Sequence, residues 1–134
     1  MIGLDTNVIA RIVLADDPAQ TRQAIVLLEQ ARAAGETVVL ALPTLLELEW
    51  VLRSVAKLPK DNVLRVFKSL LETQDLQIDQ AEVLEQALYA FEAHSADFGE
   101  CLFAAQYQRM GCRTMLTFDK KAGRLDGVDY LGGA

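Results

Sequence analysis

Apolar residues recur along the chain in two rhythms: short continuous runs, and longer stretches spaced three and four residues apart. Residues 1–5, Met-Ile-Gly-Leu-Asp, read as a short buried strand that ends on an acid. Asp16 and Asp17 precede Pro18 and make an acidic helix opening. The stretch Gln20 to Ala34 reads as a helix, with Ile25, Leu28 and Ala31 at helical spacing and Gly35 closing it. Thr37 to Leu42 is β-branched and apolar, which predicts a central strand. Pro43 suits a first helical position, and Leu45, Leu48 and Leu52 share one face of a helix over Thr44 to Val55. A further helix is predicted from Pro59 to about Glu72, a short strand over 76–78, and helices over 81–93 and 96–110, the last ended by Gly111. Arg113 to Phe118 reads as a strand running into Asp119, followed by a helical turn near 120–125 and a last strand over 128–131.

Strands that alternate with helices imply an α/β fold with a parallel central sheet covered by helices on both faces. Ligands of such sheets collect outside the carboxyl ends of the strands. Asp5 and Asp119 both fall there in sequence.

The chain has 134 residues, 51% of them hydrophobic and 24% charged, which predicts one domain over 1–134 with its own core. The longest apolar runs are core-sized, and the start carries neither a basic region nor a long apolar one, so a cytoplasmic location is expected. Cys101 and Cys112 lack metal-site spacing and His94 is the one histidine, which excludes a zinc centre and predicts buried or half-buried free thiols. The net charge of −6 weighs against a nucleic-acid partner. With 19 acids against 13 bases, however, setting four acids aside for one metal site brings the remaining surface close to neutral.

The acids form a suggestive series. Asp5 ends the first strand and also suits a helix N-cap. Glu47 and Glu49 lie two apart on one helix and so face in different directions. Asp97 and Glu100 stand at i and i+3 and share a helical face, where like charges repel unless a cation or water compensates. Asp119 ends a later strand ahead of Lys120 and Lys121. Taken singly, each acid is a cap or a solvated surface residue. Together they make an oxygen-only donor set of the kind that selects hard cations such as Mg²⁺ or Mn²⁺.

Four segments carry a resemblance. They are Gly3-Leu4-Asp5-Thr6-Asn7-Val8-Ile9, Leu46-Glu47-Leu48-Glu49-Trp50-Val51-Leu52-Arg53, Ala96-Asp97-Phe98-Gly99-Glu100-Cys101-Leu102-Phe103-Ala104-Ala105 and Thr114-Met115-Leu116-Thr117-Phe118-Asp119-Lys120-Lys121. In order and spacing they resemble the PIN-domain ribonucleases, and among them the VapC-type toxins of bacterial toxin–antitoxin pairs. The resemblance covers nearly the whole chain. It implies a three-layer α/β/α fold and a Mg²⁺- or Mn²⁺-dependent endoribonuclease. Asp5, Asp97, Glu100 and Asp119 would be the metal-binding acids, and Glu47, rather than Glu49, the helix glutamate of the site. Asn7 and Thr117 fall where the family places supporting hydrogen-bonding residues. Many members carry Asp where this chain has Glu100, and which of Asp97 and Glu100 binds the ion directly stays open. The implied partners are an RNA substrate, a second copy of the chain and an antitoxin peptide whose Arg enters the acidic site.

The basic residues Arg11, Arg53, Lys57, Lys120, Lys121 and Arg124 fall near these segments, where phosphates or only solvent would meet them. Trp50 and Phe98 read as core residues, His94 as a helix-end residue, and Trp50 with the helix over 58–71 as an exposed apolar surface. Two other readings compete. One is a PIN-like domain that binds RNA or a partner without cutting. The other is a receiver-type signalling domain, disfavoured because a single acid follows the first strand and the strand over 37–42 ends in Leu-Pro-Thr.

Overall fold

The computed structural model describes residues 1–133; Ala134, the last position of the expected 1–134 domain, lies outside them. The described residues contain five strands, all paired in parallel, and six α-helices, the α/β class that the alternation predicts. The chain divides into two compact units, Met1–Asp79 and Gln80–Ala134.

The first unit begins with β1 (Ile2–Gly3), whose chain continues through Leu4 and Asp5 into α1 (Thr6–Leu14). That helix has no counterpart among the predicted elements, although Ile9, Ile12 and Val13 give it a helical stripe. It ends on Ala15 in the left-handed conformation (φ 50°), and Asp17 then caps α2 (Pro18–Ala33) by accepting from the Gln20 amide. Gly35, at φ 73°, turns the chain after α2, as its place in sequence predicts. β2 (Val38–Leu40) lies between β1 and β3 (Leu76–Ile78), which makes it the central strand of its sheet. Ile2 pairs with Val38, and Val38 with Leu76.

β2 leads into α3 (Leu42–Trp50), with Pro43 in the first turn, and α3 passes without a break into a π-helical turn, Val51–Val55. The helix expected over Thr44–Val55 is thus one continuous rod that changes its winding at Val51. Leu45, Leu48 and Leu52 are fully buried on the predicted face. α4 (Lys60–Glu72) buries Val63, Leu64, Phe67 and Leu70. The apolar surface expected on that helix is therefore spent on the core. Trp50, by contrast, is 55% exposed rather than buried, because it lies on the side of α3 away from those leucines.

The second unit starts with α5 (Ala81–Ala93), which packs along α6 (Phe98–Arg109). His94 caps the end of α5, as expected. Phe98 is buried and meets Phe91 edge to face at 5.7 Å. Gly111, at φ 87°, closes the turn after α6. β4 (Met115–Thr117) and β5 (Val128–Tyr130) pair in parallel, joined through a 3₁₀ turn, Ala122–Arg124. Cys101 is buried, but Cys112 is exposed, since it sits in the loop beyond α6 rather than on a packed face.

Leu48 has no solvent contact. Leu48→Ala is expected to lower unfolding stability by roughly 2–5 kcal/mol, the range for an unrelaxed core cavity, measured as a fall in the urea midpoint at constant m-value.

Candidate carboxylate site

In the first unit the sheet decides where the acids go. Parallel strands send all their carboxyl ends to one edge, and the Leu4 amide extends the β1 ladder by donating to the Val39 carbonyl. Asp5 follows immediately. Its Oδ1 accepts from the Thr6 amide at 2.8 Å, so it serves as the N-cap of α1 while its side chain stays exposed. Asn7, also exposed, is in the first turn of α1. The Thr6 side chain is buried, and its hydroxyl has no hydrogen-bond partner among the described residues. A buried hydroxyl beside a strand-end acid is an unspent oxygen.

The two glutamates of α3 separate cleanly. Glu49 is 3% exposed and accepts from Arg53 Nε at 2.9 Å and Nη2 at 3.3 Å. Glu47 is exposed. The fork at Glu49 commits that carboxylate to structure and leaves Glu47 as the glutamate of this helix open to solvent and ligands. Asp79 was not singled out by sequence. It follows β3 as Asp5 follows β1, and its amide donates to the Leu40 carbonyl at 2.9 Å, so it adds another exposed acid at the carboxyl edge. An acid directly after a short apolar strand was the signal that would have found it.

In the second unit Asp97 is the N-cap residue of α6, with no side-chain capping bond, and Glu100 lies in the first turn. Asp119 stands two residues beyond β4. Its Oδ1 accepts from the Ala122 amide at 2.8 Å, and its own amide donates to Thr117 Oγ1 at 3.0 Å. Thr117 therefore helps to orient the backbone that carries Asp119. The unit brings Asp119 and Asp97 each within electrostatic reach of Glu100. Partial burial pushes the Glu100 carboxyl above its ordinary range, and the charges of Asp119 and then Asp97 push it further.

An α/β frame with carboxylates beyond the ends of parallel strands is the class that fold and side chains define. The PIN-domain family model matches residues 2–128, and the chain belongs to the PIN-domain family. Comparison with curated proteins gives no match. PIN domains are generally nucleases, hydrolases that typically use divalent metals. The residues present fit such an ion in chemistry. The donors are all oxygen, and the Asp119 and Asp97 charges that add to burial in raising Glu100 are ones a divalent cation would offset. Among the described residues no three His, Cys, Asp or Glu side chains close into a ready cage. Open carboxylates suit Mg²⁺, which keeps several of its waters, better than a metal that needs full protein ligation.

The raised Glu100 carboxyl has a stability consequence with a definite sign. A carboxyl whose folded pKa exceeds its unfolded value costs the fold nothing below the ordinary carboxylate range. The cost grows as pH rises through that range and is complete above the raised value. Glu100→Gln is expected to raise the melting temperature at pH 7 in EDTA, by an amount corresponding to about a few tenths of a kcal/mol. The gain should vanish near pH 3. Thermal scans across this pH series check it, and a mutant less stable at pH 7 would contradict it.

Proposed function

We propose that this PIN-domain protein is a Mg²⁺- or Mn²⁺-dependent endoribonuclease, the toxin of a toxin–antitoxin pair, acting in the cytoplasm as a single PIN-like domain. The observation that carries the reading is the placing of Asp119 and Asp97 near Glu100, whose carboxyl is held up by partial burial first and then by those two charges. Asp5, at a strand end beside the unspent Thr6 hydroxyl, supports it. The proposed metal-holding acids are Asp5, Asp97, Glu100 and Asp119. A bound divalent ion supplies Lewis acidity to a phosphodiester oxygen and lowers the pKa of a water. Glu47, solvent-open on α3, orients or deprotonates the attacking water. Thr117 accepts from the Asp119 amide, and Asn7, in the first turn beyond Asp5, is proposed as the second supporting residue.

No helix among the described residues is long and apolar enough to cross a membrane. Two surfaces support protein partners, a second copy and an antitoxin peptide. One is the exposed Trp50. The other is an apolar groove of about 380 Å³ in the first unit, lined by Ile9, Ile12, Val13, Ile25 and Leu28 among others. A monomer by light scattering at micromolar concentration would remove the homodimer from this reading.

The test is cleavage of a panel of structured RNAs by purified protein in Mg²⁺, Mn²⁺ and EDTA. Wild-type protein is expected to cut only with metal, and Asp5→Asn to abolish cutting while melting as wild type does. Thr117→Ala, which touches the site through Asp119, should reduce the rate by about 10- to 100-fold. Folded, inhibitor-free protein that cuts nothing but still binds RNA would replace the nuclease with a silent binding domain.

A further inference from the structure

A second groove of about 330 Å³ lies in the first unit between α1 and α2. Its polar lining is Asn7, Arg11, Gln20 and Gln23, and its apolar lining is Val8, the buried Ala24 and the exposed Leu27. Asn7 and Arg11 are four residues apart on α1, while Gln20, Gln23 and Leu27 fall on one face of α2. The groove starts at the first turn of α1, whose cap is Asp5, so one of its ends adjoins a proposed metal-holding acid.

The polar lining is built rather than incidental. Arg11 Nε donates to Gln20 Oε1 at 2.6 Å, and its Nη1 meets Asp16 Oδ1 at 3.3 Å. Thr21 Oγ1 donates to the Arg11 carbonyl at 3.0 Å and ties the two helices together at that level. The guanidinium is thus held in place before any ligand arrives, which lowers the entropy cost of using it. Accepting from Arg11 leaves the Gln20 amide nitrogen as a donor. The amides of Asn7 and Gln23 make no side-chain hydrogen bond among the described residues. No acid is among the residues that line this groove, and Asp16 pairs with its guanidinium from beside it.

Three carboxamides, a fixed guanidinium and an apolar lining match one ligand chemistry. Carboxamides read the donor and acceptor edges of an unpaired base, a guanidinium takes the phosphate, and the apolar lining receives the flat face of the base. The volume is at the lower end for small-ligand sites, the size of a single nucleotide rather than a helix. We infer that the α1–α2 groove is a nucleotide subsite. It holds one unpaired nucleotide of the RNA next to the scissile phosphate, with Arg11 on phosphate and Gln20 and Gln23 on the base. This deepens the nuclease reading and rests on it.

The test is fluorescence anisotropy of a labelled mixed-sequence hexaribonucleotide in EDTA, with steady-state cleavage of the same oligomer in Mg²⁺ alongside. Arg11→Gln and Gln23→Ala are expected to weaken binding about five- to tenfold, the loss of one charge-assisted or one ordinary hydrogen bond with its packing. They should raise KM with kcat little changed. Arg11→Gln should also flatten the salt dependence by about one phosphate contact. Arg22→Gln, an exposed charge on α2 that does not line the groove, should bind within twofold of wild type. Folded variants with wild-type binding and wild-type KM would overturn the subsite and leave the nuclease standing. Wild-type protein that neither binds nor cuts the oligomer would overturn both.

Discussion

In β1, β2 and β3 the chain runs in one direction three times, and a parallel strand can be followed by another only through a crossover that returns to the starting edge. The strands are two or three residues long, so their ladders contribute few hydrogen bonds. What the ladder contributes is direction. It sends the residue after every strand to the same edge, and the crossovers α1–α2 and α3–α4 bury the apolar residues that hold the unit together. Asp5 and Asp79 inherit their places from this constraint. In the second unit the same rule, acting on β4 and β5, carries the chain beyond Thr117 to Asp119.

Acids at strand ends also do local work, which makes them ambiguous as functional signals. Asp5 caps α1 and Asp119 caps the 3₁₀ turn, each through one carboxylate oxygen. A carboxylate has two oxygens and about four acceptor sites. Capping therefore fixes the side chain's orientation while leaving it capacity for a cation. Structural and chemical roles are compatible here, since a capping aspartate keeps its second oxygen free for a further partner. Asp97 differs, because it occupies the N-cap position of α6 without a side-chain capping bond. Both its oxygens are then open to the charge interactions that raise Glu100.

The helices and strands were legible where the period was strong. The strand over 76–78 and the helix over 81–93 fall where the pattern puts them, and both glycine stops, Gly35 and Gly111, turn the chain with positive φ. α1 has no counterpart among the predicted elements, although Asp5 suits the N-cap position that it fills in the structure. Of the two readings of Trp50, core and exposed apolar surface, its exposure agrees with the second, because an aromatic residue in an apolar helix looks like core until the rotation of that helix is known. The carboxylates were legible as a series and not as a geometry. Sequence gives the spacing of Asp97 and Glu100, but Asp119 reaches Glu100 through tertiary structure that no local period encodes.

The choice between Glu47 and Glu49 shows how rotation is fixed. The two are two residues apart, so any rotation of α3 that buries one turns the other outward. Leu45, Leu48 and Leu52 set that rotation by burial, and it takes Glu49 inside with them. A buried carboxylate costs several kcal/mol unless it is paired and hydrogen-bonded. Arg53 supplies both, four residues on, with two donors from one planar fork. Arg53 lies in the π-helical turn, where the added width of the winding alters which residues stand above Glu49. The ion pair therefore settles a question the hydrophobic pattern alone leaves open, since it makes the buried position tolerable for Glu49. Glu47 owes its exposure to the rotation those leucines set, which the Glu49–Arg53 ion pair makes tolerable for the buried acid.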